Sequence, residues 1–159
     1  QDRAVIAPAL EKAEQTGTPS AAMQLRDGRI VTGRTTDLLG ASSTLLLNAL
    51  KVLGGISDDI HLIPPTVIEP IQHLKVDHLG NRNPRLHTDE VLIALSISAA
   101  TDPVAEQAME QLGRLRGCEV HSSVILSPVD ERVFRRLGVN ITCEPHYQVK
   151  RAPLDDSEE

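Results

Sequence analysis

The sequence predicts an α/β fold of three layers, α/β/α, around a mixed β-sheet. Helical periodicities alternate with single short β-rich runs, an order that suits a sheet covered on both faces. A central Asp-Gly pair supplies a hairpin signal and therefore one antiparallel pairing. At 159 residues and 40% apolar content the chain is long enough to bury a core.

Each element can be justified in order. Ala4 to Gln15 reads as an amphipathic helix stopped by Gly17 and Pro19. Ala21–Leu25 and Arg29–Thr32 flank Arg26-Asp27-Gly28 and form the hairpin. Asp37 is the expected N-cap of a helix from Leu38 to Leu53, whose leucines at 38, 39, 45, 46, 47, 50 and 53 exceed one stripe and demand burial on most sides. Ile60–Ile63 is a short apolar run of strand type, ended by Pro64-Pro65. Thr66-Val67-Ile68-Glu69 has the capping-box pattern, with Pro70 in the first turn, Val67, Ile71 and Leu74 at helical spacing, and Gly80 closing the segment.

After a polar loop from Asn81 to Leu86, a helix is expected from about Thr88 to Ala100, with Val91, Leu92, Leu95 and Ala99 on one face. Asp102-Pro103 places an N-cap before a proline at the first helical position and opens a helix that runs to Arg116. Cys118–Leu126 alternates as a strand does, Ser127-Pro128 opens a helix ending at Gly138, and Val139–Cys143 is a last strand. Residues 1–150 thus make a single α/β domain, and 151–159 form an acidic tail whose composition suits disorder. The hairpin–helix–strand–helix opening is similar to the cytidine-deaminase topology. The matching helix starts, Asp37-Leu38-Leu39-Gly40 and Pro64-Pro65-Thr66-Val67, carry no thiolate or imidazole, so the zinc site of that fold is not expected here.

Composition narrows the partners. With one Phe, one Tyr and no Trp, the core must be aliphatic, and base-stacking faces are all but missing. A net charge of −6 also opposes a phosphate backbone, so nucleic acid is not an expected partner. Cys118 and Cys143 make neither a disulfide framework nor a CxxC pair. No apolar run approaches the length of a bilayer span, and Gln1-Asp2-Arg3 is not a signal peptide. The expected setting is the cytoplasm, with no membrane association. The start reads as a cut inside a longer chain, whose other domains are the expected partners, with a homo-oligomer as a further option.

Two polar clusters stand at helix starts. Arg85, His87, Thr88, Asp89 and Glu90 are the densest: His87 suits an acid or base, Asp89 can orient it, and Arg85 can hold an anion. The plainer account has Thr88 capping the helix while Asp89 and Glu90 complement its dipole. Thr35, Thr36, Asp37, Ser42 and Ser43 form the second cluster, able to hold an anion with hydroxyls and free N–H groups. Its plainer account is capping by Asp37 and close packing at Ser42 and Ser43. On the strand after Cys118, alternation sends His121 and Ser122 to opposite faces, and no Gly-x-Ser-x-Gly turn exposes a serine. The remaining histidines, including the five-apart pair His73 and His78, lack the spacing of a metal site on a helix.

Four stretches carry a family resemblance: Ala7-Pro8-Ala9-Leu10-Glu11-Lys12-Ala13-Glu14, Thr36-Asp37-Leu38-Leu39-Gly40-Ala41-Ser42-Ser43, Asn83 through Leu95, and Gly117-Cys118-Glu119-Val120-His121-Ser122-Ser123. They resemble the C-terminal portion of domain-of-unknown-function family 1846, also known as uncharacterised protein family 0371, up to about Tyr147. The resemblance implies a much longer bacterial protein whose molecular function is not established. It also implies an N-terminal glycine-rich stretch reminiscent of a phosphate-binding loop, and an ATP-dependent peptidase activity has been suggested for members. No such glycine-rich loop occurs in these residues, so no cofactor is expected here. Two functions follow as expectations: an accessory or ligand-binding domain, or part of an enzyme acting on a small phosphorylated or carboxylated metabolite.

Overall fold

A computed structural model describes residues 3–145, and the expected acidic tail lies outside the described residues. Helix α1 (Ile6–Thr16) leads into the hairpin β1 (Ser20–Gln24) and β2 (Ile30–Arg34). Helices α2 (Ala41–Gly54) and α3 (Pro65–His73) follow, the latter running on into a π-helical turn, Leu74–His78. Then come α4 (Thr88–Ala99), α5 (Pro103–Met109), a 3₁₀ turn (Leu112–Leu115), β3 (Glu119–Ser122), α6 (Pro128–Arg136) and β4 (Asn140–Cys143).

The four strands form one mixed sheet in the order β2-β1-β3-β4. β1 pairs antiparallel with β2 and with β3, whereas β3 and β4 run parallel. The Asp-Gly hairpin is present: Gly28 takes a φ of 95°, open to glycine at no steric cost, and Asp27 accepts from the Arg29 N–H. Alternation along β1 splits the core. Ala22 packs with Val5 and Ala9 under α1, while Ala21 and Met23 join the large aliphatic core beneath α2 and α4. The sheet is therefore covered on both faces, as the three-layer reading requires.

Gly33 explains how closely one of these layers sits. A Cβ at this position would lie 2.4 Å from the backbone nitrogen of Leu45, so β2 and α2 meet backbone to backbone. The apolar surplus on α2 finds its burial here, with Leu45, Leu46 and Leu50 fully enclosed.

Several boundaries differ from the sequence reading. Ile60–Ile63 is no strand: Leu62 and Ile63 are buried, but in irregular backbone that no other strand pairs with. The element order behind the deaminase comparison is thus interrupted, because α3 follows α2 without an intervening strand. α2 begins at Ala41, not at Leu38, and Asp37 does not cap it. The Thr36 hydroxyl instead accepts from the N–H groups of Leu38 and Leu39, and a parallel bridge between Leu39 and Leu86 holds this stretch extended. α3 starts at Pro65 without a side-chain cap, so the capping box expected at Thr66 does not form. The helix from Pro103 ends at Met109 and gives way to the 3₁₀ turn, although Asp102 caps it as expected. The strand expected over Cys118–Leu126 is confined to Glu119–Ser122.

Candidate functional site

A cleft of about 690 Å³ opens where the C-terminal end of α1 meets the segment leaving β2. Leu10, Ala13, Pro19 and Val124 supply its apolar wall. Arg34, Thr35, Thr36, Asp37 and Arg85 supply the polar one. Two residues distant in sequence converge there. Arg34 Nη1 reaches the carbonyl of Thr35 at 3.4 Å, and Arg85 Nε donates to the next carbonyl, Thr36, at 2.6 Å. Both guanidiniums thus reach one short segment of backbone, Arg85 through a short bond and Arg34 through a long one, and their remaining N–H groups bond no partner among the described residues. Glu14 and Asp37 add two carboxylates to the lining.

The local chain explains this placement. Thr36 holds the backbone out of the helix, as described above, so residues 35–37 lie along the cleft instead of inside α2. Arg85 is set by Asn83, whose Oδ1 accepts the Arg85 N–H, and by the Leu39–Leu86 bridge one residue on. Ser43 belongs to the same joint but not to the cleft: its buried hydroxyl donates to the Leu86 carbonyl at 2.8 Å. Ser42 is likewise buried within the α2 packing.

The other predicted cluster is taken up elsewhere. His87 is the N-cap of α4, and its N–H donates to the Glu90 carboxylate at 2.8 Å. Thr88 is fully buried and donates from both its N–H and its hydroxyl to Asp130 of α6. Asp89 accepts from the Glu90 N–H at the helix start. Neither His87 nor Asp89 lines the cleft, so Arg85 is separated from both.

Nothing in the residue pattern singled out Lys75. Its side chain is only 5% exposed, and its ammonium donates to Glu90 at 2.8 Å and to the Arg85 carbonyl at 2.7 Å. Burial opposes charge on Glu90, but hydrogen bonds from the His87 ring, the Lys75 ammonium and the His87 N–H outweigh it and hold this carboxyl down to about 2. The same carboxylate raises the His87 imidazole above its ordinary value, against the contrary pull of burial.

His121 and Ser122 occupy opposite faces, as alternation requires: His121 pairs in register with Ala22 on the α1 side, and Ser122 with Ala21. The His121 ring lies between Thr142 at 2.7 Å and Glu144 at 2.8 Å, both of its nitrogens engaged. Among the described residues, no three His, Cys, Asp or Glu side chains gather closely enough to hold a metal ion. No helix among the described residues is long and apolar enough to cross a membrane.

Comparison with known proteins places this chain in a family. The model for "domain of unknown function DUF1846, C-terminal" matches residues 1–152. A UPF0371 protein of Corynebacterium urealyticum is 60% identical over 126 residues, covering 79% of this chain and 25% of that protein. One from Corynebacterium diphtheriae is 61% identical over 124 residues, covering 78% of this chain and 25% of that protein. A third, from Streptococcus pyogenes, is 53% identical over 126 residues, covering 79% and 26%. The chain therefore spans about a quarter of the length of the curated relatives it matches.

Proposed function

The chain belongs to the family of the C-terminal domain of unknown function DUF1846, and on that premise we propose that it is a ligand-holding accessory domain of a longer bacterial polypeptide. The observation that carries this reading is the convergence of Arg34 and Arg85 on consecutive carbonyls at the wall of the cleft. Planar guanidiniums present paired N–H donors that match a phosphate or carboxylate. The facing apolar wall suits a small uncharged body attached to that group. Glu14 and Asp37 at the same cleft disfavour a polyanion and favour a ligand with a single acidic end.

His87 and Asp89 are held away from the cleft and would take no part in a reaction on such a ligand. The cytoplasm is the proposed location, a reading supported by the free thiols of Cys118 and Cys143.

Thermal-shift titration of the full-length polypeptide with inorganic phosphate, glycerol phosphate and the monocarboxylate butyrate tests the proposal. At least one should stabilise the protein, and Arg34→Ala and Arg85→Ala should each weaken that binding by about tenfold or more, the worth of a hydrogen bond to a charged group. Undiminished stabilisation in the double variant, or none from any of the three, sinks the reading.

A further inference from the structure

Helix α4 has an outer face that none of the described residues covers. From Val91 through Thr101 the sequence carries no charged residue, so the helix is apolar or small on every side. Val91, Ala94, Leu95 and Ser98 face inward and are buried. Ile93, Ser96, Ile97 and Ala100 recur at helical spacing on the opposite side, and all four are exposed. Ile93 and Ile97 are each 59% exposed, more than any other large apolar residue in the described chain except Leu79. A helix apolar all round is a core helix, and surface helices ordinarily carry charge on the outer side. Here the charges stop after Glu90, one turn into the helix.

We infer that this face is an intramolecular interface, packed in the full-length protein against the portion of the same polypeptide that lies outside this domain. One observation, with its physical consequence, selects that occupant. Relatives at 53–61% identity devote about three quarters of their length to chain beyond the matched segment, so a much larger body tethered to this domain is available to cover its surface. Tethering raises the effective concentration of that body far above that of any free partner, so a modest uncharged stripe suffices to hold it. The stripe is also separate from the cleft lining, which includes no residue of α4. This inference therefore stands apart from the proposed ligand reading.

Thiol labelling of the full-length polypeptide tests it without disturbing the fold. Ile97→Cys and, as a reference, Ile60→Cys are treated with a bulky maleimide, and the modified peptide is quantified by mass spectrometry so that native cysteines do not interfere. Within this domain Ile97 is the more exposed of the two, 59% against 38%, so a thiol there would react faster if nothing covered it. Docking reverses the order: the thiol of Ile97→Cys should react at least about tenfold more slowly than that of Ile60→Cys, because reaction must await local opening. The order must also be independent of protein concentration. Equal or faster labelling at position 97 overturns the inference. Protection that disappears on dilution, as a dimer seen by light scattering becomes a monomer, overturns it in favour of a second copy.

Discussion

The two polar regions of this domain hold similar residues and differ in what remains for a ligand. Around Lys75, Glu90, His87, Thr88 and Asp130, the charges and hydroxyls face one another across α3's π-helical extension, α4 and α6. At the cleft, Arg34 and Arg85 each spend one donor on a backbone carbonyl and keep the rest. The first region is a clamp between elements and the second is a wall with unused capacity. In sequence the clamp looks the richer, since His87, Asp89 and Glu90 sit almost side by side. Saturation of partners, which depends on three dimensions, separates the clamp from the cleft wall.

The largest effect expected from this contrast is on the clamp. Glu90→Ala leaves the Lys75 ammonium buried with only the Arg85 carbonyl near it. Removing one partner of a buried pair costs about 3–5 kcal/mol, and the partial exposure of Glu90, 28%, places the expected loss at about 3 kcal/mol. Urea denaturation at neutral pH measures it. A loss below about 1 kcal/mol, the range of surface pairs, would mean that the clamp is not a structural unit.

The clamp should also shape stability against pH. Glu90 is held to about 2 in the folded state, below its ordinary value of 4.5, so its contribution is present above 4.5 and is lost as pH falls toward 2. His87 is raised above 6.5, so its contribution is complete below 6.5 and is lost as pH rises through the folded value. The wild type should therefore lose stability on both sides of a window between about 4.5 and 6.5. In His87→Gln the alkaline decline should flatten, as followed by the denaturation midpoint across pH. An unchanged alkaline limb in that variant would remove His87 from the clamp.

Much of this architecture was legible in the residues, and the exceptions share a cause. Asp27-Gly28, Asp102-Pro103 and Ser127-Pro128 each fix a local backbone outcome by chemistry within a few residues, and the turn and the two helix starts appear where expected. Ile60–Ile63 could not be resolved in this way, because a short apolar run is equally compatible with a strand and with irregular chain pressed onto the core. Leu62 and Ile63 are buried by the second route. The helix start expected at Leu38 was lost to a bridge with Leu86, a partner almost fifty residues away that no local rule names. The close approach at Gly33 is of the same kind: the glycine is visible, but the Leu45 backbone that requires it is not.

Half of the cleft was visible. Thr35 and Thr36 stood out as one cluster and Arg85 as part of another, and the fold unites them through the Arg85–Thr36 bond. Arg34 carried no signal, since an arginine closing a strand is ordinary surface. Lys75 was hidden for a related reason, as lysines are almost never buried unless paired, and its partner lies fifteen positions on.

The smallest expected effect sharpens the comparison most. Arg34 is exposed, and its bond to the Thr35 carbonyl is long at 3.4 Å, so Arg34→Ala should shift folding stability by no more than about 0.5 kcal/mol. The same substitution is expected to weaken anion binding at the cleft. A residue whose removal leaves the fold intact while it abolishes a ligand effect belongs to a binding surface. The reverse pattern, a clear loss in the urea midpoint of Arg34→Ala, would make the cleft wall a second clamp and erase the distinction between the two regions.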